Sequence, residues 1–368
     1  MSCTARAASS GGGTAAPEIA WFSALCDDDY EFLGVPDPTL ASSWEHCAQI
    51  VAAAERNGFD NVLLPSGYSL GIDATAFAAG IATQTERINL LLAVRMGEMW
   101  PPQLARQLAT IDHMAAGRLT VNIISSDLPG APLPSGPRYR RTREYLEVLR
   151  TLLDGESVEF DGEFVKVQLD PPRVGTVSGR CPPFYFGGFS EDAKHTAAVA
   201  ADVFLNWPDT VAGVAATVSE MRERAAAVGR QLTFGLRSHV IVRPTSAEAM
   251  AATRRLVSRL DDGAGAAIRA RSLDSASVGV QRQAELRSGA DADGFAEEGL
   301  WTGIGRARSG AGAAIVGDPD EVAAKLRAYQ AVGIDAFILS GYPHLAECDL
   351  FGRLVLGSIA HQPLWHPM

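Results

Sequence analysis

The chain has little of what would direct it to a metal, a membrane or a polyanion. It has five cysteines (Cys3, Cys26, Cys47, Cys181 and Cys348), an odd number with no C-x-x-C pair and no metal-ligand spacing. That pattern excludes a disulfide framework and leaves reduced, cytosolic thiols as the simplest reading. No run of about 18 apolar residues exists to span a bilayer. Residues 1–17 are rich in Ala, Ser and Gly, lack the apolar centre of a signal peptide, and read as a flexible tail. Positive charge is short as well: 32 Lys and Arg stand against 43 Asp and Glu, a net charge of −11. The average field therefore repels nucleic acid and acidic membranes, and any anionic ligand must meet a local cationic cluster. No His, Asp and Glu set has metal spacing, and no G-x-S-x-G elbow supplies a nucleophile.

What the chain does have is length and apolar content. At 368 residues and 47% hydrophobic, it can bury one large α/β barrel or two ordinary domains. Eight short apolar or aromatic runs alternate with helical stretches, at residues 18–23, 61–65, 88–95, 119–125, 183–187, 203–207, 233–242 and 336–340. Such alternation predicts βα units, and nearly all-apolar strands are those covered on both faces. Eight of them predict closure into a (β/α)8 TIM barrel spanning residues 18–360, with 361–368 as a second tail. Asn57-Gly58 reads as a left-handed helix stop, and Asp318-Pro319-Asp320-Glu321 as a capped helix start. Two excursions break the rhythm. Residues 158–167 alternate around Asp161-Gly162, which predicts a surface hairpin before the fifth strand. Residues 263–312, between the last two strands, are long enough and suitably placed to form an active-site lid; a plain surface insertion is the alternative.

In such a barrel, function sits where strands end. Those positions hold Ser66, Arg95, Asn122, Ser125, Ser126, Gly187, Gly188, Trp207, Arg237, His239 and Ser340-Gly341-Tyr342, many of them polar where a core would take Val or Leu. Arg237 and His239 lie two apart on one strand, so they share a face. A buried arginine needs an anion, either a carboxylate or a ligand; acids are scarce at these strand ends, which favours a ligand. Gly187-Gly188-Phe189-Ser190 leads from a strand into a helix whose first amides could hold a phosphate. Gly303 to Gly312, which carries Arg306 and Arg308, is not a dinucleotide fingerprint because no strand precedes it; it reads as a mobile loop delivering an arginine. His46 and His113, within amphipathic helices, are expected at the surface or at an interface, and His344 is a lesser candidate near the mouth.

These residues fall into strings similar to those of a known family. Leu300-Trp301-Thr302-Gly303-Ile304-Gly305 with Arg308, Gly310-Ala311-Gly312, Val316-Gly317-Asp318-Pro319 and Ser340-Gly341-Tyr342-Pro343-His344-Leu345 resemble the last third of alkanesulfonate monooxygenases, a branch of the bacterial luciferase-like family. So do Arg237 to Arg243 and the stretch between Leu260 and Gly279. The resemblance implies reduced FMN supplied by a separate NAD(P)H-dependent flavin reductase, dioxygen as cosubstrate, and oxidation of a sulfonate to an aldehyde and sulfite. It implies that Arg308 closes over the site and stabilises the anion formed as oxygen adds to the flavin. Arg237, His239 and Trp207 would hold the sulfonate, beside Arg95 and Ser126, and Tyr342 would donate a hydrogen bond or proton. Asn122, Ser125, Tyr139, Gly187, Gly188, Ser190 and Ser66 would line the flavin site. A homo-oligomer in the cytoplasm is the accompanying expectation.

Two loops depart from the family pattern. Ser69-Leu70-Gly71 replaces the usual cysteine after the second strand, and Ser125-Ser126-Asp127-Leu128-Pro129-Gly130 replaces Thr-Gly-Gly-Asp-Pro. With the anion-handling residues kept, these changes point to a sulfonate with a different organic portion. The polar Ser125, Ser126 and Asp127 suit hydroxyls, as in the sulfoquinovose monooxygenase subgroup. The alternatives are a deazaflavin- or flavin-dependent oxidoreductase on the same barrel, or a flavin-binding barrel without catalysis.

Overall fold

The computed structural model describes residues 16–68, 70–270 and 277–366. Most of the N-terminal tail, Ser69, part of the predicted lid (271–276) and residues 367–368 lie outside the described residues. The strands are β1 (Glu18–Phe22), β2 (Asn61–Leu64), β3 (Asn89–Arg95), β4 (Leu119–Ile124), β5 (Val158–Asp161), β6 (Lys166–Leu169), β7 (Phe184–Gly187), β8 (Val203–Asn206), β9 (Thr233–Val242), β10 (Phe295–Glu297), β11 (Leu300–Trp301), β12 (Ala314–Gly317) and β13 (Ala336–Ser340). Eight of them close a parallel ring in the order β1, β2, β3, β4, β7, β8, β9, β13 and back to β1. This is the predicted (β/α)8 barrel. β5 and β6 pair antiparallel as the predicted hairpin.

The predicted helix signals act as expected. The helix Trp44–Asn57 is capped by the Ser43 side chain and stops at Gly58, whose φ of 91° favours glycine. Asp318 and Glu321 form a capping box at the helix Pro319–Ala331.

Three further strands fall between β9 and β13, two of them inside the insertion and β12 just after it, where sequence patterning indicates none. β12 is a four-residue apolar run without alternation, and it pairs parallel with the outer half of β9, Ala314 opposite His239 and Gly317 opposite Val242. β9 is therefore shared: Thr233 to Leu236 pair with β8, and His239 to Val242 pair with β12. Above Leu236 the wall leaves β8 and turns toward β12. Arg237 and Ser238 thus fall where β9 has left β8 and not yet met β12, whereas His239 is paired on both sides. The two-residue β11 precedes the Gly303 loop, so a strand does stand before that loop, although it leads into a 3-10 turn (Gly303–Arg306) and not a helix.

The opposite end of the barrel is shut. Glu18, Asn61, Thr120 and Tyr185 form a buried polar layer: Asn61 Nδ2 donates to Glu18 Oε1 (3.3 Å) and to Thr120 (3.2 Å), and Tyr185 donates to Glu18 (3.0 Å). Residues 361–366, read from sequence as a tail, pack across this end. Leu364 N donates to Glu18 Oε2 (3.0 Å), Asn89 donates to the Trp365 carbonyl (2.8 Å), and Trp365 donates to the Gly117 carbonyl (3.0 Å). No helix among the described residues is long and apolar enough to cross a membrane, and none of their His, Cys, Asp and Glu side chains cluster to hold a metal.

Candidate active site

Arg237 and His239 both meet Ser340 at the end of β13, so the three gather in one buried cluster. β13 lies beside β9 with Ser340 opposite His239, so parallel register alone brings the hydroxyl to both side chains. Arg237 Nη2 donates to Ser340 Oγ (2.8 Å), and Ser340 Oγ lies 2.9 Å from His239 Nδ1. Ser340 Oγ accepts from Arg237 and keeps its own proton to give. When that proton goes to Nδ1, the imidazole proton sits on Nε2, a buried nitrogen with no close hydrogen-bond partner, while the ring also meets the Ala311 backbone. Burial, with the charges of Arg237 and Arg308 added, pushes His239 well below the usual histidine range and keeps it neutral.

Arg237 has no carboxylate partner among the described residues. Besides Ser340 it donates to the carbonyls of Ser238 (2.6 Å) and Ile338 (3.4 Å), and its guanidinium lies 4.4 Å from the centre of the Phe22 ring. Burial, then the nearby Arg308 charge, lowers its pKa to about 9, which still leaves it cationic at neutral pH.

Arg308 enters the same cluster from the insertion. Its Nη1 donates to Tyr342 Oη (2.8 Å) and to Asp28 Oδ2, and its Cζ is 5.4 Å from the Phe22 ring centre. Burial disfavours the charged guanidinium, but Tyr342 and Asp28 outweigh it and raise the pKa. Burial alone would also raise the Asp28 carboxyl; Arg308, helped by His344, holds it below the usual range. Tyr342 is raised by burial despite Arg308, so it stays a neutral phenol. Its oxygen accepts from Arg308, leaving its own proton to donate. The Tyr342 ring lies 5.0 Å from His239 and 5.1 Å from His344. Both nitrogens of the fully buried His344 lack partners.

The Arg308 loop is held in place by the insertion's helices. Arg287 Nη1 donates to the Gly305 carbonyl (2.8 Å), and Gln283 accepts from Gly312 N (3.0 Å) while donating to the Pro208 carbonyl (2.7 Å). Gln283 thus links the loop to the residue after Trp207. The helix Val278–Ser288 lies so close to Trp207 that a Cβ on Gly279 would come within 2.7 Å of the indole.

The other predicted residues form a second wall. Asn122 on β4 and Ser66 after β2 are half-buried at strand ends, and Ser125 Oγ accepts from Thr142 (2.8 Å). Arg95 and Ser126 are spent on neighbours, Arg95 Nε donating to Ser126 Oγ (2.7 Å) and Nη1 to Glu98 (2.8 Å). Ser190 caps the helix Glu191–Ala200 by accepting from Ala193 N (3.2 Å). The Tyr139 hydroxyl, on the helix Ser135–Leu153, lies beside this start, 3.6 Å from where a Gly188 Cβ would be, and its neighbour Arg138, paired with Asp127 through Nη1, keeps a buried Nε without a partner.

Sequence reasoning passed over four residues here. Asp28 follows β1 in Asp27-Asp28-Asp29, an acidic run at a strand's C-terminal end that contradicts the expected scarcity of acids. Ser340, one of the strand-end positions, touches both Arg237 and His239, and Phe22 lies against both arginines. His46, expected at the surface or at an interface, is buried against Asp29 Oδ2 at 2.8 Å; Asp29 also accepts from His344 N (2.9 Å).

Comparison with known proteins fits this layout. Residues 32–336 match the family model for luciferase-like monooxygenases. A sulfoquinovose monooxygenase of Novosphingobium aromaticivorans is 65% identical over 94% of this chain and 98% of its own length. One of Agrobacterium fabrum is 51% identical over 93% of this chain and 89% of its own. Among solved structures, a riboflavin lyase (RcaE) with modified FMN and riboflavin superposes with a TM-score of 0.78 at 17% identity, covering 96% of this chain and 94% of that one. A barrel of this topology, matched by the family model over most of its length and by relatives at more than half identity, belongs to the luciferase-like monooxygenase family.

Proposed function

We propose that the protein is a monooxygenase that uses reduced FMN and dioxygen to convert sulfoquinovose, or a closely similar sugar sulfonate, to the corresponding sugar aldehyde and sulfite. In the balance, the C–S carbon loses sulfite and gains one oxygen atom of O2. The other oxygen atom leaves as water, and the flavin leaves oxidised. A separate NAD(P)H-dependent reductase in the cytoplasm would return it to the reduced form.

The residues fit a flavin mononucleotide. Tyr139, the amides of Gly187, Gly188 and Ser190, and the unpartnered Arg138 Nε suit its phosphate, while Asn122, Ser125 and Ser66 suit the wall beside its ring. When bound, reduced FMN supplies the electrons that activate dioxygen. The chain's own residues do the rest. Arg237, the Nε2 proton of His239 and the indole of Trp207 bind the sulfonate, with Arg95 and Ser126 shaping the adjoining wall. Arg308 presents fixed positive charge where negative charge develops, and Tyr342 holds a proton that it can donate. The insertion, seated on Trp207, is the lid that excludes water.

The observation that carries this reading is Arg237: a buried cation with no carboxylate partner among the described residues, at a barrel mouth beside a neutral histidine. The test supplies reduced FMN, oxygen and a panel of alkyl and sugar sulfonates, and measures sulfite. Sulfite from a sugar sulfonate is expected, and Arg237→Ala or Arg308→Ala should abolish it in folded protein. Wild-type turnover in both variants, or no sulfite from any sulfonate, overturns the reading.

A further inference from the structure

Asp28 is an odd neighbour for a site that binds an anion. Its Oδ2 takes the Arg308 guanidinium, but Oδ1 is buried with no hydrogen-bond partner, and the side chain as a whole is only 17% exposed. A buried carboxylate oxygen left unpaired is costly unless a donor arrives. The other unpartnered buried atoms of the cluster, Arg308 Nε, His239 Nε2 and the two His344 nitrogens, are donors or titrating ring nitrogens, and they suit the oxygens of a sulfonate. Asp28 Oδ1 can only accept, and an ionised sulfonate has no proton to offer. A carboxylate next to it would repel it, so the position makes sense where the same ligand also carries a hydroxyl. Phe22 fixes this geometry: its ring backs Arg237, Arg308 and His344 together, so whatever sits between the two arginines lies beside Asp28.

Resting on the function proposed above, we infer that Asp28 is a specificity residue: one carboxylate oxygen holds Arg308, and the other accepts a hydrogen bond from a hydroxyl on the organic portion of the sulfonate. Hydroxylated sulfonates gain a charge-assisted hydrogen bond, and plain alkyl sulfonates meet an unpaired negative oxygen. Discrimination of this kind is strong because the rejected ligand leaves the buried acceptor unsatisfied.

The test compares sulfoquinovose with hexane-1-sulfonate, which has the same sulfonate and no hydroxyl. The kcat/KM for sulfoquinovose, and the turnover or competitive inhibition constant of hexane-1-sulfonate, are measured for wild-type, Asp28→Ala and Asp28→Asn proteins. Asp28→Ala should shift the preference toward the alkyl sulfonate by about tenfold or more. Asp28→Asn keeps an acceptor oxygen and should retain most of the preference. In Asp28→Ala, a fall of equal size for both ligands, or an unchanged preference, overturns the inference, because Asp28 would then act only as an anchor for Arg308 or as a contact to the flavin. Asp28→Leu, of similar size but with no acceptor oxygen, covers the case in which the alanine variant does not fold, and the same shift toward the alkyl sulfonate is expected of it. Failure of the wild-type protein to release sulfite from any sulfonate is read before any variant is made, and it sinks the proposed function separately.

Discussion

Ser340 Oγ lies 2.9 Å from His239 Nδ1, and when the hydroxyl donates there the imidazole keeps its own proton on Nε2. Replacing Ser340 with alanine leaves both Arg237 Nη2 and His239 Nδ1 without this partner. The tautomer is then free to reverse, presenting an acceptor to the sulfonate. The expected result is a kcat/KM for sulfite release lower by roughly 10- to 100-fold, in keeping with one or two lost hydrogen bonds to charged or buried groups, with the thermal midpoint little changed.

Tyr342→Phe removes the phenol that accepts from Arg308 at 2.8 Å and holds the proton on that side of the cluster. Arg308 keeps Asp28, so it stays charged and in place. Substrate affinity should therefore change little while productive turnover falls by about 10- to 100-fold, the usual share of a positioned acid or base. Oxygen uptake measured against sulfite should show oxygen consumed without sulfite release.

Two buried histidines should each weaken the fold on mild acidification. His239 and His344 are held below the ordinary histidine value by burial, so below about pH 6.5 the unfolded chain takes up protons that the folded chain refuses. The stability from each is complete above that pH and is lost at about 1.4 kcal/mol per pH unit as the pH falls further. His361, raised by Asp60, and Glu18, pushed up to about 7 by burial, have the opposite sign. Thermal midpoints between pH 7.5 and 5.5 should thus drop less for His239→Asn than for wild type, and an identical slope in the two proteins would count against a neutral His239.

Deleting residues 361–368 should destabilise the barrel from the end opposite the chemistry. The Glu18 carboxyl, pushed up to about 7 by burial, loses the Leu364 amide, and Asn89 and Gly117 lose Trp365. At about 1 kcal/mol for each lost hydrogen bond, the thermal midpoint should fall by several degrees, while sulfite release at low temperature persists.

Much of this was legible in the chain. Apolar runs such as Asn89 to Val94 announce strands buried on both faces, and Arg237 with His239 share a face by strand geometry alone. The strand Ala314–Gly317 was not legible, because four apolar residues after a glycine-rich stretch carry no period, and pairing with the outer half of β9 is what makes them a strand. Asp28 was visible in its acidic run, but not its partner: 280 residues separate it from Arg308.

The sequence by itself determined the eight-strand barrel, its insertions and the two arginines at its mouth, because periodicity and strand-end position are local properties of the chain. Which cation is paired and which is left open was decided only in three dimensions. Arg308 meets Asp28 and Tyr342, whereas Arg237 meets a serine and carbonyls, because the register of β9 against β13 and the seating of the insertion set those distances, and electrostatic partnership depends on distance rather than on order along the chain.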